Sequence, residues 1–171
     1  LGQTKLGQAV FSGASLRHTD LEAADLSGAR LERALFEKCF LTRAKVDGAN
    51  FTETTFHESV LSGVDLRRVK ISATTFSQSL LDGIDATDVA FAAADLRLSL
   101  FTAACLLRAD LTGVEASKAN FDGANLRSAR GQKMTAPYAS FSKAQLDGAD
   151  FSGANIEEAN FESVKAAGAK F

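Results

Sequence analysis

The sequence predicts a repeat fold in which the chain turns a corner every five residues around an apolar interior. Three observations predict it. From Leu1 to Phe171 one unbroken frame holds every fifth residue, and 30 of its 35 positions are Leu, Phe, Ile or Val. The exceptions are Ala86, Ala116, Gly131, Ala136 and Ala166. Two residues before each of these centres stands a small residue, Ala at 19 of 34 sites and Val at five. Two residues after the centre, Gly occurs ten times, as at Gly13, Gly28, Gly48 and Gly153, suiting a corner that needs positive φ.

Each position then has a physical reason. A straight strand would alternate an odd-numbered repeat between its two faces, and a straight helix would spread it around the whole circumference. Short sides joined by corners instead send one large and one small residue inward from every side. The other three positions face water, which accounts for their polar variety. The site just before the centre is Asp or Asn twelve times, among them Asp20, Asp25, Asn50, Asp110, Asn120 and Asn160.

Composition narrows the class. A chain of 171 residues that is 46% hydrophobic can build a core. The net charge of −2, from 19 basic and 21 acidic residues, supports neither a DNA-binding field nor a strongly acidic mimic of DNA. No apolar run approaches the roughly 20 residues of a membrane span. Two cysteines, Cys39 and Cys105, fit a reducing compartment rather than a disulfide scaffold.

The motif A-(D/N)-(L/F)-x-x, written here as ADLSG (24–28), ANFTE (49–53), ADLTG (109–113), ANFDG (119–123) and ANIEE (154–158), resembles the pentapeptide-repeat family. The resemblance covers essentially the whole chain. It implies an all-β fold, a right-handed quadrilateral parallel β-helix (solenoid) with four pentapeptides per coil and about eight to nine coils. It also implies a bacterial, cytoplasmic protein. The expected domain organisation is a single domain over 1–171, excised from a longer chain, since residue 1 is Leu rather than Met.

Twenty residues per coil turn the sequence into columns. One inward column reads Leu1, Leu21, Leu41, Leu61, Leu81, Phe101, Phe121, Phe141, Phe161, and another Leu16, Phe36, Phe56, Phe76, Leu96, Ala116, Ala136, Ile156. Such stacks leave no room for a cofactor, and none is expected. Cys39 and Cys105 fall about 16 Å apart along the axis at the strand-stacking distance, too far for a disulfide.

Catalytic chemistry finds no foothold. His18 and His57 lie nearly two coils apart on outward positions, no Cys/His cluster has zinc spacing, no glycine-rich phosphate loop occurs, and a convex rod offers no pocket for a Ser–His–Asp triad. The expectation is a non-enzymatic protein without metal or cofactor.

Three surface features invite a partner. Just before the centre, Asp20, Phe40, Val60, Leu80, Leu100 and Asn120 form a column whose middle four members are apolar, flanked by Leu98. That stripe is the first candidate interface. The second is Met134, Pro137 and Tyr138 in ARGQKMTAPYA (129–139), where Gly131 and Ala136 interrupt the large centres; the blander account has Met134 filling the volume that Gly131 leaves. The third is the carboxyl end, where Phe161 and Phe171 suggest homodimerisation through a coil end. The expected role is a rigid scaffold or binding module for a protein partner, without direct nucleic-acid binding. The alternative, carried by the family resemblance, is a DNA-mimicking, DNA gyrase/topoisomerase-binding protein that confers fluoroquinolone resistance. Columns such as Asp25, Lys45, Asp65, Asp85 mix charge signs and weigh against it.

Overall fold

The computed structural model describes residues 1–171. The chain winds as a parallel β solenoid with a register of twenty residues. Strands β1 (Ser15–Arg17), β2 (Leu35–Glu37) and β3 (Thr55–His57) stack in that order as one parallel sheet, pairing Leu16 with Phe36 and Phe36 with Phe56. Elsewhere single parallel bridges join residues twenty apart, from Lys5–Asp25 to Asp150–Lys170. No helix is present, so none is long and apolar enough to cross a membrane.

Backbone hydrogen bonds explain why five residues suffice for one side. At a typical corner the small residue's N–H donates to the carbonyl of the centre three residues earlier, as in Ala24 to Leu21 at 3.0 Å. The residue two after the centre has positive φ, the signature of a type II turn. All ten glycines at this position have φ between 62° and 71°, and 23 non-glycine residues there also have positive φ, from 47° to 62°. Arg68 alone at this position is absent from the positive-φ set.

The recurring Asp or Asn before the centre completes the turn. In all twelve cases its side-chain oxygen accepts the N–H of the residue two further on, as in Ser27 to Asp25 and Thr52 to Asn50, both 3.0 Å. That N–H points along the outside of the corner, where the ladder offers it no carbonyl, and the side chain supplies the acceptor.

Inside, 47 buried apolar residues form one continuous core. Phenylalanines stack along the axis, with ring centroids 5.0 Å apart for Phe36–Phe56, 5.3 Å for Phe56–Phe76 and 5.0 Å for Phe121–Phe141. Coil stacking at about 4.8 Å brings identical columns into ring–ring contact.

Two departures are local. A Cβ at Gly131 would lie 2.5 Å from the Phe151 ring, so the ring of the next coil occupies the space beside Gly131. The bridges also skip two steps, Lys45–Asp65 and Lys70–Ala90. The amides of Val46, Asp65, Ile71 and Ala90 make no backbone hydrogen bond there. Both gaps border corners where Val64, Val69 and Val89 stand in columns that hold Ala24, Ala44, Ala29 and Ala49 in the preceding coils. At the first gap a shallow cavity of about 280 Å³ opens, lined by Arg43, Lys45, Asp47, Gly63 and Asp65 among others.

Candidate interaction surface

The structure brings the predicted stripe together. Phe40, Val60, Leu80 and Leu100 are linked rung to rung by the bridges Phe40–Val60, Val60–Leu80 and Leu80–Leu100, continuing to Asp20 on one side and Asn120 on the other. Phe40 is 53% exposed, Leu80 36% and Leu98 46%; Val60 and Leu100 are half-buried. None of the four column members can supply the side-chain acceptor that Asp or Asn provides elsewhere, and the N–H groups of Thr42, Ser62, Asp82 and Thr102 find no acceptor within the chain. Four successive rungs thus forgo a turn hydrogen bond and expose apolar surface at the same time.

Behind the stripe runs a buried polar ladder whose members the repeat pattern marks only as small residues. Cys39, Ser59, Ser79 and Ser99 directly precede the four stripe residues and are fully buried. Ser59 Oγ accepts the Cys39 N–H at 3.0 Å and donates to the Phe36 carbonyl at 3.0 Å; Ser79 Oγ accepts the Ser59 N–H at 3.1 Å and donates to the Phe56 carbonyl at 3.2 Å. Cys39 Sγ donates to the Leu16 carbonyl at 3.4 Å, and burial pushes its thiol pKa up. Ser99 Oγ bonds to the Leu96 carbonyl. The coincidence of a Ser/Cys column with the apolar column one residue later is the signal of this ladder in the sequence. Its effect is a wall whose rungs are tied by side chains as well as backbone, a rigid backing for the stripe.

The second candidate does not assemble as a surface. Met134 is fully buried and points into the core, so it cannot meet a partner; this corrects its place beside Pro137 and Tyr138. The small-residue column in which it stands is an inward one. Tyr138 is 53% exposed and lies under Lys118, whose Nζ is 6.0 Å from the ring centroid, while Pro137 is half-buried. At the carboxyl end, Phe161 stacks on Phe141 at 5.0 Å and meets Phe171 edge-on at 5.5 Å; Phe171 is 58% exposed.

The titratable groups are arranged as ladders and not as a catalytic constellation. Five ion pairs join residues one coil apart: Arg17–Glu37, Arg33–Glu53, Lys38–Glu58, Asp88–Arg108 and Asp110–Arg130, at 2.6 to 3.5 Å. Arg67 reaches both Asp65 at 2.6 Å and Asp85 at 3.3 Å. His57 Nε2 faces Glu58 at 3.2 Å. The half-buried Cys105 lies with its sulfur 3.2 Å from Thr87 Oγ1. No three His, Cys, Asp or Glu side chains come together as a metal-binding group.

A solenoid with a twenty-residue register, four corners per coil and a dry stacked interior defines a class of rigid repeat proteins. The chain belongs to the pentapeptide-repeat family: the family model for pentapeptide repeats matches eight copies over residues 1–33, 34–72, 94–130 and 136–171. Among solved structures it is similar to HetL, a pentapeptide-repeat protein involved in heterocyst differentiation regulation from the cyanobacterium Nostoc sp. strain PCC 7120. The two share 21% identity over 95% of this chain and 85% of that one, with a TM-score of 0.54. It is also similar to a trypsin-treated form of QnrB1, a plasmid-mediated fluoroquinolone resistance protein, at 18% identity over 97% of this chain and 88% of that one, with a TM-score of 0.50. At such identities the likeness concerns the fold, and implies a right-handed β-helix. No curated protein sequence matches.

Proposed function

We propose that the protein is a non-enzymatic binding module, a rod of eight to nine coils that presents the Phe40–Val60–Leu80–Leu100 stripe and Leu98 to a protein partner. The observation that carries this reading is the unbroken bridging of four exposed or half-exposed apolar residues in one column. An apolar ladder could serve stacking alone. Phe40 and Leu80, however, leave a third or more of their surface in water, and the column forgoes four turn hydrogen bonds. Contiguous exposed apolar surface is a mark of interfaces. Free cysteines fit a reducing, cytoplasmic setting.

The test uses the full chain and a Leu80→Asp/Leu100→Asp variant as baits, each checked by circular dichroism. A partner captured by the first, lost by the second and reconstituted from purified components supports the reading. Equal capture by both baits removes the stripe from consideration.

A DNA-mimicking, gyrase-binding role is the second reading, supported by fold likeness to QnrB1 alone. Against it, the net charge is only −2, and cross-coil ion pairs neutralise five of the 21 acidic side chains. Protection of gyrase supercoiling from a quinolone at stoichiometric protein would reverse the ranking.

A further inference from the structure

We propose that the occupant of the stripe is a second copy of this chain, lying alongside the first with the two rods parallel and related by a twofold axis that runs along the stripe. The proposal rests on the reading of the stripe as an interface and names its partner. Two independent features carry it.

The first is spacing. The apolar residues recur once per coil, about 4.8 Å. A helix laid along them repeats every 5.4 Å and drifts by about 2 Å over the three steps from Phe40 to Leu100. A second copy has the same period, so every rung stays in step.

The second is charge. The column two residues before the stripe reads His18, Lys38, Glu58, Gln78, Leu98, Lys118, and the column two residues after it reads Glu22, Thr42, Ser62, Asp82, Thr102, Asp122. A twofold axis along the stripe sets one column of the first copy against the other column of its mate at the same height. His18 then faces Glu22, Gln78 faces Asp82, Leu98 faces Thr102 and Lys118 faces Asp122. None of His18, Glu22, Asp82, Lys118 and Asp122 has an ion-pair partner within its own chain. The antiparallel alternative sets each column against itself and brings Glu22 against Asp122. The parallel arrangement has two like-charge meetings, both outside the stripe: Asp20 meets its own copy on the axis one coil before Phe40, and Glu158 meets Glu162 three coils beyond Leu100. Such isologous pairing closes at two copies. An apolar stripe about 14 Å long is short for a permanent interface, so the dimer is reversible.

Sedimentation equilibrium from about 10 to about 200 μM should show the mass rising from 18.1 kDa toward about twice that value. Leu80→Asp should hold it at the monomer. Lys118→Glu and Asp122→Lys should each weaken pairing by about tenfold, and the double exchange should restore it. In a Cys105→Ser background, Leu80→Cys should give a disulfide-linked dimer on mild oxidation, because the axis sets residue 80 against its own copy. Dimers that survive Leu80→Asp and do not cross-link through residue 80 would place self-association elsewhere, at a coil end for example, and overturn the proposal. A chain still monomeric at the highest concentration would overturn it too, while leaving the stripe's role as a surface for another protein to the capture experiment above.

Discussion

The ring of Phe151 lies where a side chain on Gly131 would begin, 2.5 Å from the ideal Cβ position. Gly131 is the inward centre of its side, and its φ is not in the positive region, so its requirement is for space alone. Gly83 is the converse: φ is +62° and no atom lies within 4 Å of the position its Cβ would take. Alanine at the two sites therefore separates sterics from backbone strain. Gly83→Ala should cost about 1 kcal/mol, the penalty of a left-handed residue. Gly131→Ala should cost about 2 to 4 kcal/mol, because Phe151 is packed between Phe141 and Phe171 and has little room to move. Urea unfolding of the two variants checks the order.

Acid should loosen the coils. Hydrogen bonds from Ser152 hold the Asp150 carboxyl below its ordinary pKa, the side-chain bond from Ser27 does the same for Asp25, and that from Arg67 for Asp65. A folded-state pKa below the unfolded one adds stability that is complete above the unfolded value, near 3.9, and is lost as the pH falls through the folded value. The melting temperature should accordingly be flat from about pH 7 to about 5 and fall below about pH 4. Asp150→Asn keeps an oxygen for the Ser152 N–H, as Asn50 and Asn120 do naturally. It should melt near wild type at neutral pH and lose part of the acid sensitivity; an unaltered pH profile would exclude Asp150 from the effect.

The five-residue frame made the fold legible because every coil obeys it without insertion, and the positions of Leu61 or Phe121 follow from counting. The stripe was legible for the same reason: Phe40, Val60, Leu80 and Leu100 are twenty residues apart, and the register holds across all of them. What counting missed depends on neighbours in space. Met134 reads as a break in a small-residue column, yet its side chain is accommodated in the core, while Phe151, twenty residues on from Gly131, fills the space beside it. Ser59 and Ser79 read as substitutes for Ala, although their hydroxyls bond carbonyls of the preceding coil. The open steps at Lys45–Asp65 and Lys70–Ala90 fall within an unbroken five-residue frame, so no single position announces them.

Those open steps predict a pattern of hydrogen exchange. The amides of Asp65 and Ala90 have no carbonyl to donate to, whereas the equivalent amides of Asp85 and Asp110 bond Val64 and Val89 at 3.1 and 2.9 Å. Exchange at Asp65 and Ala90 should be at least about tenfold faster than at Asp85 and Asp110 under native conditions. Equal protection at all four would mean that the ladder is continuous in solution.

Removing the Ser59 hydroxyl should be costly although the change is one atom. Ser59→Ala takes the acceptor from the buried Cys39 N–H and the extra donor from the Phe36 carbonyl. An unsatisfied buried amide costs about 1 to 3 kcal/mol, more than the fraction regained from alanine's apolar fit. The unfolding midpoint in urea should fall accordingly, and Ser59→Thr, which keeps the hydroxyl, should recover part of the loss.

Leu98 offers the sharpest separation of stability from association. It holds φ at 61°, a conformation costly for a bulky side chain, and it is 46% exposed beside the stripe. Glycine adopts that φ without strain but surrenders more backbone entropy on folding, and the two effects together favour glycine by roughly 0.5 kcal/mol. Leu98→Gly should therefore leave the urea midpoint unchanged or slightly raised while it weakens association measured at fixed concentration. A residue kept only for the fold would show the opposite pair of results, a lower midpoint with association intact, and that outcome would take Leu98 out of the interface.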